Sequence, residues 1–340
     1  MGSGYRSAAQ KRRIETSADR IGNAALPARD APPHDARMKQ TTFDAVLVGG
    51  GPANLSAALA LGRARRRVLL ADAGPRRNAA ATHVNNFLTR DGTPPDEMRR
   101  LGREQLQRYG SVEVRDEAVR AIGGERGAFE VELAGGSVTA RRVLLGTGMI
   151  DELLPIEGFE ERWGHAIYQC PYCHGWEVRD RPWGFLVSAT NASHVVPFAL
   201  KALQWTDSVT VFTHGAVEIS DEDAGRLRGR GIRVETSPVR RLAGPGRSLA
   251  RVELEDGTEL ACEALFAHPP QRQVPLVAGL GLELDEHGYV RVDEMRCETS
   301  TPGIFAAGDL TTRMQGAILA AAHGTRAAAM INVDLAMEPG

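Results

Sequence analysis

Residues 43–54 have the sequence Phe-Asp-Ala-Val-Leu-Val-Gly-Gly-Gly-Pro-Ala-Asn. The apolar first half predicts a buried strand, and the glycines predict a tight turn. Small apolar residues over 55–61 then predict a closely packed helix. A second predicted strand over 67–70 is followed by Asp72, about 20 residues after Gly51. This order of elements predicts a dinucleotide-binding fold; the alternative is an ordinary strand–turn–helix without a ligand.

Each part of this unit has a physical role in holding a dinucleotide. Gly49 makes the tight turn, and Gly51, which has no side chain, lets the backbone approach a pyrophosphate. The following helix presents free N–H groups and the positive end of its dipole to the phosphates. Asp72 can accept a hydrogen bond from the adenosine ribose. Asn54 replaces the third glycine of the usual pattern, so we expect the helix to be slightly displaced.

The chain carries one Cys-x-x-Cys pair, Cys170 and Cys173, followed directly by His174. Such a pair can close a disulfide, bind a metal or be inert. Cys262 and Cys297 have no neighbouring cysteine, so we predict core thiols there and no metal site. Four cysteines are too few for a disulfide-stapled secreted domain. In a reducing cytosol, the predicted compartment, a lone pair of this kind is more often catalytic or metal-binding than structural, and its surroundings favour redox chemistry.

The composition is typical of a soluble globular protein, with 42% hydrophobic and 25% charged residues. A formal net charge of -2 gives no reason to expect a nucleic-acid or anionic-membrane surface. No run is long and apolar enough to span a membrane. Arginine-rich stretches at 63–67 and 99–103 are interpreted as solvated helix faces. Residues 1–41 are polar and aperiodic, and are predicted to be a disordered extension without a secretory signal.

Two further segments extend the pattern. Residues 143–148 predict a strand that ends in Gly-Thr-Gly, and residues 301–309 predict another that ends in Gly308-Asp309. Taken alone, these are ordinary strand ends. With the glycine turn at 49–51, the pattern resembles the two-dinucleotide-fold flavoproteins and, within them, the low-molecular-weight thioredoxin reductase family. The resemblance covers about residues 43–335, and it implies an α/β fold that binds FAD.

The resemblance also implies a domain plan and a cofactor site. Residues 42–156 and 269–340 would form a discontinuous FAD-binding domain, with 157–268 inserted as a smaller NAD(P)-like domain that carries the cysteine pair; a homodimer is implied as well. Asp309 would hold the ribityl chain or flavin phosphate. A closely packed helix from Gln315 to about 335 would point its positive end at the flavin N1/O2 edge. The implied cofactor-binding residues are Gly49, Gly51, Pro52, Ala53, Asp72, Asn86, Val119, Thr147, Gly148, Gly308, Asp309, Gln315 and Gly316.

The same resemblance assigns roles to the three catalytic candidates. Cys173 would be the flavin-proximal sulfur and Cys170 the interchange sulfur that meets the substrate. His174 stands where the reductases carry an acid. An acid returns a proton to a departing thiolate, whereas a histidine with a near-neutral pKa can take protons from incoming thiols. We therefore predict that His174 is the general base of a thiol oxidation.

The inserted region departs from the reductases where they bind NADPH. After the predicted strand 183–187, residues 188–194 contain no glycine, so the backbone cannot easily approach a pyrophosphate, and Pro197 falls where the helix of the reductases continues. After the predicted strand 208–212, Thr213-His214-Gly215 stands where the reductases have arginines for the 2′-phosphate. The predicted domain keeps its strands but lacks the residues that bind the nucleotide.

These features resemble the dithiol oxidases of the gliotoxin, holomycin and romidepsin type, in which a Cys-x-x-Cys-His-Gly segment accompanies a degenerate nucleotide domain. The resemblance implies FAD-dependent conversion of a small-molecule dithiol into a disulfide, with molecular oxygen as the electron acceptor. Two alternatives stay open. One is an NAD(P)H-dependent disulfide reductase; the other is a flavin-fold scaffold without turnover, against which the intact pair Cys170 and Cys173 argues.

Overall fold

The computed structural model describes residues 42–188 and 194–338. The predicted extension 1–41 and the middle of the predicted glycine-free turn, 189–193, lie outside the described residues. The strands are β1 (Thr42–Val48), β2 (Val68–Ala71), β3 (Val112–Arg115), β4 (Val119–Glu125), β5 (Ala128–Leu133), β6 (Gly136–Leu145), β7 (Ile150–Asp151), β8 (Ile167–Tyr168), β9 (Trp183–Leu186), β10 (Val209–Phe212), β11 (Arg233–Glu235), β12 (Val239–Ala243), β13 (Arg251–Leu254), β14 (Glu259–Ala261), β15 (Ala264–Ala267), β16 (Gln271–Arg272) and β17 (Ile304–Ala306). The helices are α1 (Pro52–Arg63), α2 (Pro95–Leu106), α3 (Phe159–Arg162), α4 (Pro171–His174), α5 (Val195–Ala202), α6 (Asp221–Arg228), α7 (Pro275–Ala278) and α8 (Ala317–Ala336).

The first sheet has β1 at its centre. Its strands lie in the order β3-β2-β1-β6-β5-β4, and β17 returns from the distant end of the chain to pair with β6. The pairs among β3, β2, β1, β6 and β17 are parallel, whereas β5 and β4 continue antiparallel. Ala45, Val46 and Leu47 are fully buried, as in a parallel strand covered on both faces. The predicted strand, glycine turn, helix and strand are thereby confirmed.

Helices α1 and α8 pack against each other at close range. Gly51 is the N-cap of α1 and Pro52 occupies the first helical position, where the missing N–H would have had no partner in the helix. A Cβ on Gly324 of α8 would lie 1.9 Å from the carbonyl oxygen of Ala53, so only glycine permits this approach. The helix predicted after Gln315 is thus present and closely packed. None of the described helices is both long and apolar enough to cross a membrane.

Asn54 is seated in a gap that a facing glycine leaves. Its Nδ2 donates to the carbonyl oxygens of Val48, at 2.8 Å, and Gly49, at 2.9 Å. A Cβ on Gly146 would lie 2.5 Å from the Asn54 side chain. Gly146, which follows β6, therefore leaves room for Asn54. The sequence predicted a displaced helix and did not identify this facing glycine. The asparagine links α1 to β1 by hydrogen bonds, whereas the usual third glycine would let the helix and the strand pack closely without them.

The second sheet repeats the parallel plan over a different stretch of the chain. Its order is β11-β10-β9-β15-β8, and every pair is parallel. The strands predicted over 183–187 and 208–212 are present as β9 and β10. Helix α5 begins at Val195, so Pro197 lies in its first turn and does not interrupt it. Strands β12, β13 and β14 form a separate antiparallel sheet beside this one.

The two parallel sheets draw on different parts of the chain. The first uses residues 42–145 and 304–306, and the second uses residues 167–267. Between them, β7 pairs antiparallel with β16, with Asp151 opposite Gln271. The predicted division into 42–156 with 269–340 and 157–268 stays a prediction, and both sheets fit within it.

The interpretation of the second arginine-rich stretch as a solvated face is wrong for two of its members. Arg99 and Arg103, one turn apart on α2, both donate to Asp72 at the end of β2. Their side chains are only 22% and 23% exposed. Arg100 points away from them and pairs with exposed Glu97. Helical spacing alone could not reveal that the carboxylate lies under one face of the helix.

Candidate active site

Cys170 and Cys173 lie in one tight turn, at the start of α4. Cys170 is the N-cap, and its carbonyl oxygen accepts hydrogen bonds from the N–H groups of Cys173, at 3.1 Å, and His174, at 3.2 Å. Both cysteines are free thiols and half-buried. The structure therefore brings all three predicted catalytic residues into a single turn.

The two thiols share a hydrogen bond, and this separates their acidities. The hydrogen bond from Cys173, which outweighs the effect of burial, lowers the pKa of Cys170 to about 7. The pKa of Cys173 is raised, because it donates that bond, because it is buried, and because the charges of Asp309 and Glu177 disfavour a second anion. The anionic form is thus favoured at Cys170 over Cys173.

Asn85, in the segment between β2 and α2, holds this turn. Asn85 Nδ2 donates to the carbonyl oxygen of Cys173 at 2.8 Å. Its neighbour Asn86 is exposed, has a left-handed φ of 59°, and uses its N–H to bond Asp91. The structure brings Asn85, and not Asn86, to the cysteine turn. The assignment of Asn86 to the flavin stays a prediction.

His174 lies under a tyrosine ring. Its imidazole stacks on Tyr168, with the ring centroids 4.5 Å apart and the planes at 17°. Burial, together with the nearby His83, lowers the pKa of His174 to about 4, so the ring is neutral at physiological pH. Its Nδ1 is buried and has no hydrogen-bond partner among the described residues. A neutral imidazole with an unpartnered ring nitrogen, on the residue that follows Cys173, can accept a proton.

An aromatic wall supports the turn from the second sheet. Tyr172 meets Trp205 edge-on, Trp205 stacks on Trp183, and Trp183 contacts Phe266 at a centroid distance of 4.5 Å. A Cβ on Gly175 would lie 3.0 Å from the Trp183 ring, tighter than a normal contact. The sequence showed these aromatic residues only as apolar strand and loop positions. Their assembly around the redox turn required the fold.

The predicted cofactor cradle has the open backbone that a dinucleotide needs. A Cβ on Gly51, Gly148 or Gly316 would meet no atom within 4 Å, so each faces open space. Gly49 is different: its φ is 105°, and a Cβ there would lie 2.7 Å from the carbonyl oxygen of Gly146. Gly49 therefore shapes the turn, while the other three leave room beside it. This geometry fits FAD, with the pyrophosphate at the N-terminus of α1 and the flavin near Gly316 at the start of α8.

Asp72 ends β2 as predicted, yet its carboxylate is already paired. It accepts hydrogen bonds from Arg99 and Arg103, and one oxygen accepts the N–H of Gly74 at 2.9 Å. Burial alone would raise its pKa, but the hydrogen bonds and the arginine charges outweigh burial, so the pKa of Asp72 lies below its ordinary value. A Cβ on Gly50 would collide with this carboxylate. Asp72 is thus held rigidly as an anion under the glycine turn.

Arg77 is the main residue that sequence reasoning missed. Its guanidinium, largely buried, donates to Asp151 at 2.8 Å, to Asp309 at 2.8 Å and to Gln315 at 2.6 Å. It also donates to Gln169, which directly precedes Cys170, at 2.8 Å. Arg77 therefore joins two predicted flavin contacts to the redox turn. No spacing signal marks it, because it lies in a short 3₁₀ turn with no periodic pattern.

The remaining predicted cofactor residues lie on or next to elements of the first sheet and its helices. Ala53 lies in the first turn of α1, Val119 begins β4, and Thr147 follows β6. Gly308, with a φ of 89°, contacts Ala53 across the α1–α8 junction. Their roles in holding the cofactor stay predictions.

Cys262 and Cys297 take no part in this site. Both are about 1% exposed and lie in apolar clusters, which confirms the prediction of core thiols. Cys297 accepts a hydrogen bond from Arg326 at 3.2 Å. Within residues 42–188 and 194–338, no group of three or more His, Cys, Asp or Glu side chains is arranged to hold a metal ion.

Known proteins share this arrangement over most of their length. The family model for pyridine nucleotide-disulphide oxidoreductases matches residues 43–324. The chain is 35% identical to thioredoxin reductase sirT of Leptosphaeria maculans, over 85% of this chain and 93% of that protein. Its structure is similar to that of an oxidoreductase from Agrobacterium tumefaciens, with a TM-score of 0.81, 37% identity, and coverage of 88% and 100%. It is also similar to the crystal structure of HlmI, with a TM-score of 0.79, 36% identity, and coverage of 89% and 95%.

The match extends from the first strand of the first sheet into α8, so it includes the glycine turn, the redox turn and both parallel sheets. The chain is therefore an enzyme of the pyridine nucleotide-disulphide oxidoreductase family, among the thioredoxin reductase-like members that bind FAD.

Proposed function

We propose that this enzyme is an FAD-dependent dithiol oxidase, which closes a disulfide in a small-molecule natural product and uses molecular oxygen as the electron acceptor. The observation that carries the proposal is the combination of an intact redox turn, Cys170 and Cys173 with a buried neutral His174, and a nucleotide fold without nucleotide-binding residues. Electrons enter through the thiols, and no second nucleotide is needed.

The first half-reaction follows from the positions of the three residues. His174 takes the proton of a substrate thiol, and the resulting thiolate attacks Cys170 in the oxidised pair, so the Cys170–Cys173 bond breaks and Cys173 departs with the electron pair. A second substrate thiol, once deprotonated, attacks the mixed disulfide. The product disulfide forms and Cys170 leaves as a thiolate. The substrate loses two electrons and two protons in total.

Bound FAD would take the two electrons from the reduced pair and pass them to oxygen, which becomes hydrogen peroxide. Asp309, Gln315 and the glycine cradle would hold it, and Arg77 would fix Asp309 and Gln315 relative to the turn. The charge of Asp309, a predicted flavin contact, is among the causes that raise the pKa of Cys173. This effect supports Cys173 as the flavin-proximal sulfur, with Cys170 as the interchange sulfur.

A low pKa does not disqualify His174 as the base. Its imidazole must be neutral before it can accept a proton, and burial guarantees this across the neutral range. When a substrate thiolate forms beside it, the opposite charge raises the pKa of the imidazole and stabilises the transferred proton. A carboxylate in the same position would be an anion at neutral pH, and its charge would disfavour a thiolate formed beside it.

Contacts within and beside the second sheet support the proposal that the enzyme does not use NADPH. After β10, the N–H of Thr213 donates to the carbonyl oxygen of Glu235, and the His214 ring accepts the N–H of Val239 at 2.9 Å. The nearby arginines of β11 and β12 each pair with a carboxylate: Arg233 with Glu235, Arg240 with Glu253 and Arg241 with Glu157. These residues are engaged in internal contacts, so a 2′-phosphate would have to displace them.

The competing function is an NAD(P)H-dependent disulfide reductase, and the names of relatives such as thioredoxin reductase sirT favour it. Anaerobic titration of the purified enzyme separates the two. A small dithiol such as dithiothreitol should bleach the flavin absorbance, and air should restore it with one peroxide per flavin reduced. NADPH should leave the absorbance unchanged, because lost pyrophosphate and 2′-phosphate contacts weaken its binding by several kcal/mol. Rapid bleaching by micromolar NADPH would establish the reductase instead.

The proposal includes the remaining partners. We expect a homodimer in the reducing cytosol, with no nucleic-acid or membrane partner. Sedimentation of the FAD-bound enzyme tests the dimer. Reoxidation that is slow in air and produces no peroxide would replace oxygen by a protein acceptor and leave the thiol chemistry in place.

A further inference from the structure

Asn54 occupies the position of the third glycine in the dinucleotide pattern, and it is fully buried. It is the third residue of α1, and the Cα–Cβ bonds of a helix tilt toward its N-terminus, so the side chain reaches back to the glycine turn. Its Oδ1 has no hydrogen-bond partner within the described residues. A buried acceptor without a partner is unfavourable, and a glycine would avoid it. Close packing alone therefore does not explain an asparagine here.

The amide nitrogen of Asn54 fixes the backbone of the turn. Its Nδ2 donates to the carbonyl oxygens of Val48 and Gly49, at 2.8 and 2.9 Å. The Val48 carbonyl also accepts the N–H of Gly146 at 3.0 Å, and the N–H of Gly49 donates to the carbonyl oxygen of Ala71 at 2.8 Å. The peptide groups on both sides of Gly49 are thus held by hydrogen bonds.

The next two N–H groups of the turn are left for a ligand. In a trans peptide the carbonyl and the N–H point in opposite directions, so a Gly49 carbonyl held by Asn54 directs the N–H of Gly50 away from that amide. Neither Gly50 nor Gly51 donates its N–H to any group within the described residues. Successive backbone N–H groups at the N-terminus of a helix bind phosphate groups.

Gly146 is sterically matched to Asn54. A Cβ on Gly146 would lie 2.5 Å from Cγ and Oδ1 of Asn54 and 2.6 Å from Nδ2, and these are its three nearest atoms. The φ of Gly146 is not in the left-handed region, so its backbone conformation would admit an alanine. The asparagine amide is therefore the main obstacle to a side chain at position 146.

We propose that Asn54 is a positioning residue for FAD. Its amide holds the Gly49 peptide so that the N–H groups of Gly50 and Gly51 are presented to the pyrophosphate, and Gly146 is the partner that this amide requires. A turn shaped before the cofactor binds loses less conformational freedom on binding. This role rests on the binding of FAD alone, so it holds whether the enzyme is an oxidase or a reductase.

The first test removes the donor and follows FAD release. The release rate from the holoenzyme is measured by the fluorescence of free flavin in the parent, Asn54→Asp and Asn54→Gly. Asn54→Asp keeps the size of the side chain but sets an acceptor against two carbonyls, so release should be about 10–100-fold faster. Asn54→Gly should speed release by about tenfold, because both carbonyls lose their donor.

Asn332→Asp is the matched control. It makes the same chemical change on α8, where the Oδ1 of Asn332 accepts a hydrogen bond from the Nε of Arg66 at 2.7 Å. A carboxylate keeps that acceptor, so FAD release should equal that of the parent. A purely structural role for Asn54 would lower the melting temperature of its variants and leave their release rate at the parent value, which would overturn the proposal.

The second test exchanges the matched pair. Gly146→Ala alone should speed FAD release by at least about tenfold, because the new Cβ displaces the Asn54 amide. In an Asn54→Gly background the same alanine fills the vacated space, so it should leave the release rate unchanged or lower it. The double variant should still release FAD roughly 3–10-fold faster than the parent, since the carbonyls of Val48 and Gly49 lack a donor.

Two outcomes of the exchange would overturn the proposal. An equal effect of Gly146→Ala with and without Asn54 would show that the two residues are not matched. A double variant that retains FAD as well as the parent would show that the amide does not position the turn. Neither measurement uses a dithiol, NADPH or oxygen, so its failure is separate from a failure of the proposed function.

Discussion

The chain contains two parallel α/β units of the same plan, and they differ in sequence at the turn that follows the first strand. In the first, β1 leads through Gly49 and Gly51 into α1, and backbone faces open space at the turn. In the second, β9 leads through a segment without glycine into α5. Both units keep buried central strands, with Val46 and Phe185 at 0% and 1% exposure.

This difference shows that fold and ligand site are maintained by different residues. The sheets persist because apolar strands are buried on both faces, and that requirement is met by many side chains. A phosphate site depends on a few positions without a Cβ or with a free cation, so it can disappear while the sheet stays. What the second unit still supplies is the redox turn and its surroundings.

The largest expected effect is the loss of dithiol turnover when either cysteine of the redox turn is replaced. Cys170→Ser and Cys173→Ser should each lower dithiol turnover by more than about 10³-fold, because a hydroxyl cannot form the disulfide. FAD should stay bound, since its predicted contacts lie in the first unit. Cys262→Ala, which removes a buried thiol away from the turn, is the control and should keep near-parent turnover. Substantial turnover in Cys173→Ser would contradict the disulfide relay.

The next effect concerns the base carried by the same turn. His174→Ala should lower the rate by about 10²–10⁴-fold. Because burial holds its pKa at about 4, the ring is mostly neutral from about pH 5 upward, so the parent should show little loss of base activity as pH falls from 7 to 5. The rate profile against pH checks both statements. A parent rate that falls with a midpoint near 6.5 would place the base elsewhere.

A change in the first unit tests whether its turn is the working nucleotide site. Gly51→Val should weaken FAD retention by at least about tenfold, because the new side chain fills the space the pyrophosphate needs. It should leave the fold intact, since a Cβ there meets no atom within 4 Å. Flavin content after gel filtration and the melting temperature give the two readouts. Ser188→Ala, at the equivalent turn after β9, should change neither.

The smallest expected effect concerns the acid below that turn. Asp72→Asn removes a charge that Arg99 and Arg103 neutralise, and we expect a loss of about 1–3 kcal/mol in the free energy of unfolding together with a modest loss of FAD. The pKa of Asp72 is lowered in the folded state, so its contribution is present above its unfolded pKa of about 4 and disappears as the pH falls through the lower folded value. Denaturant titrations at pH 7 and below pH 3 check this.

The comparison of the two units also shows why some predictions succeeded and one failed. Strand, glycine turn and helix over 43–61 were predictable, because burial and backbone freedom leave local marks on the sequence. The redox turn was predictable for the same reason, since Cys170, Cys173 and His174 are adjacent along the chain. The interpretation of Arg99 and Arg103 failed because their partner, Asp72, lies on another element.

By itself, the sequence determined the order of the elements, the two nucleotide-type units, the loss of glycines in the second unit, and the cysteine turn. Tertiary structure alone decided that Arg77 joins Asp309 to the segment before Cys170, that Asn85 holds the carbonyl of Cys173, and that Lys201 lies over Tyr172. Local preferences are set by neighbours along the chain, and so they can be read from it. Charge pairs and ring contacts join residues from distant segments, and their geometry exists only after the sheets and helices have packed.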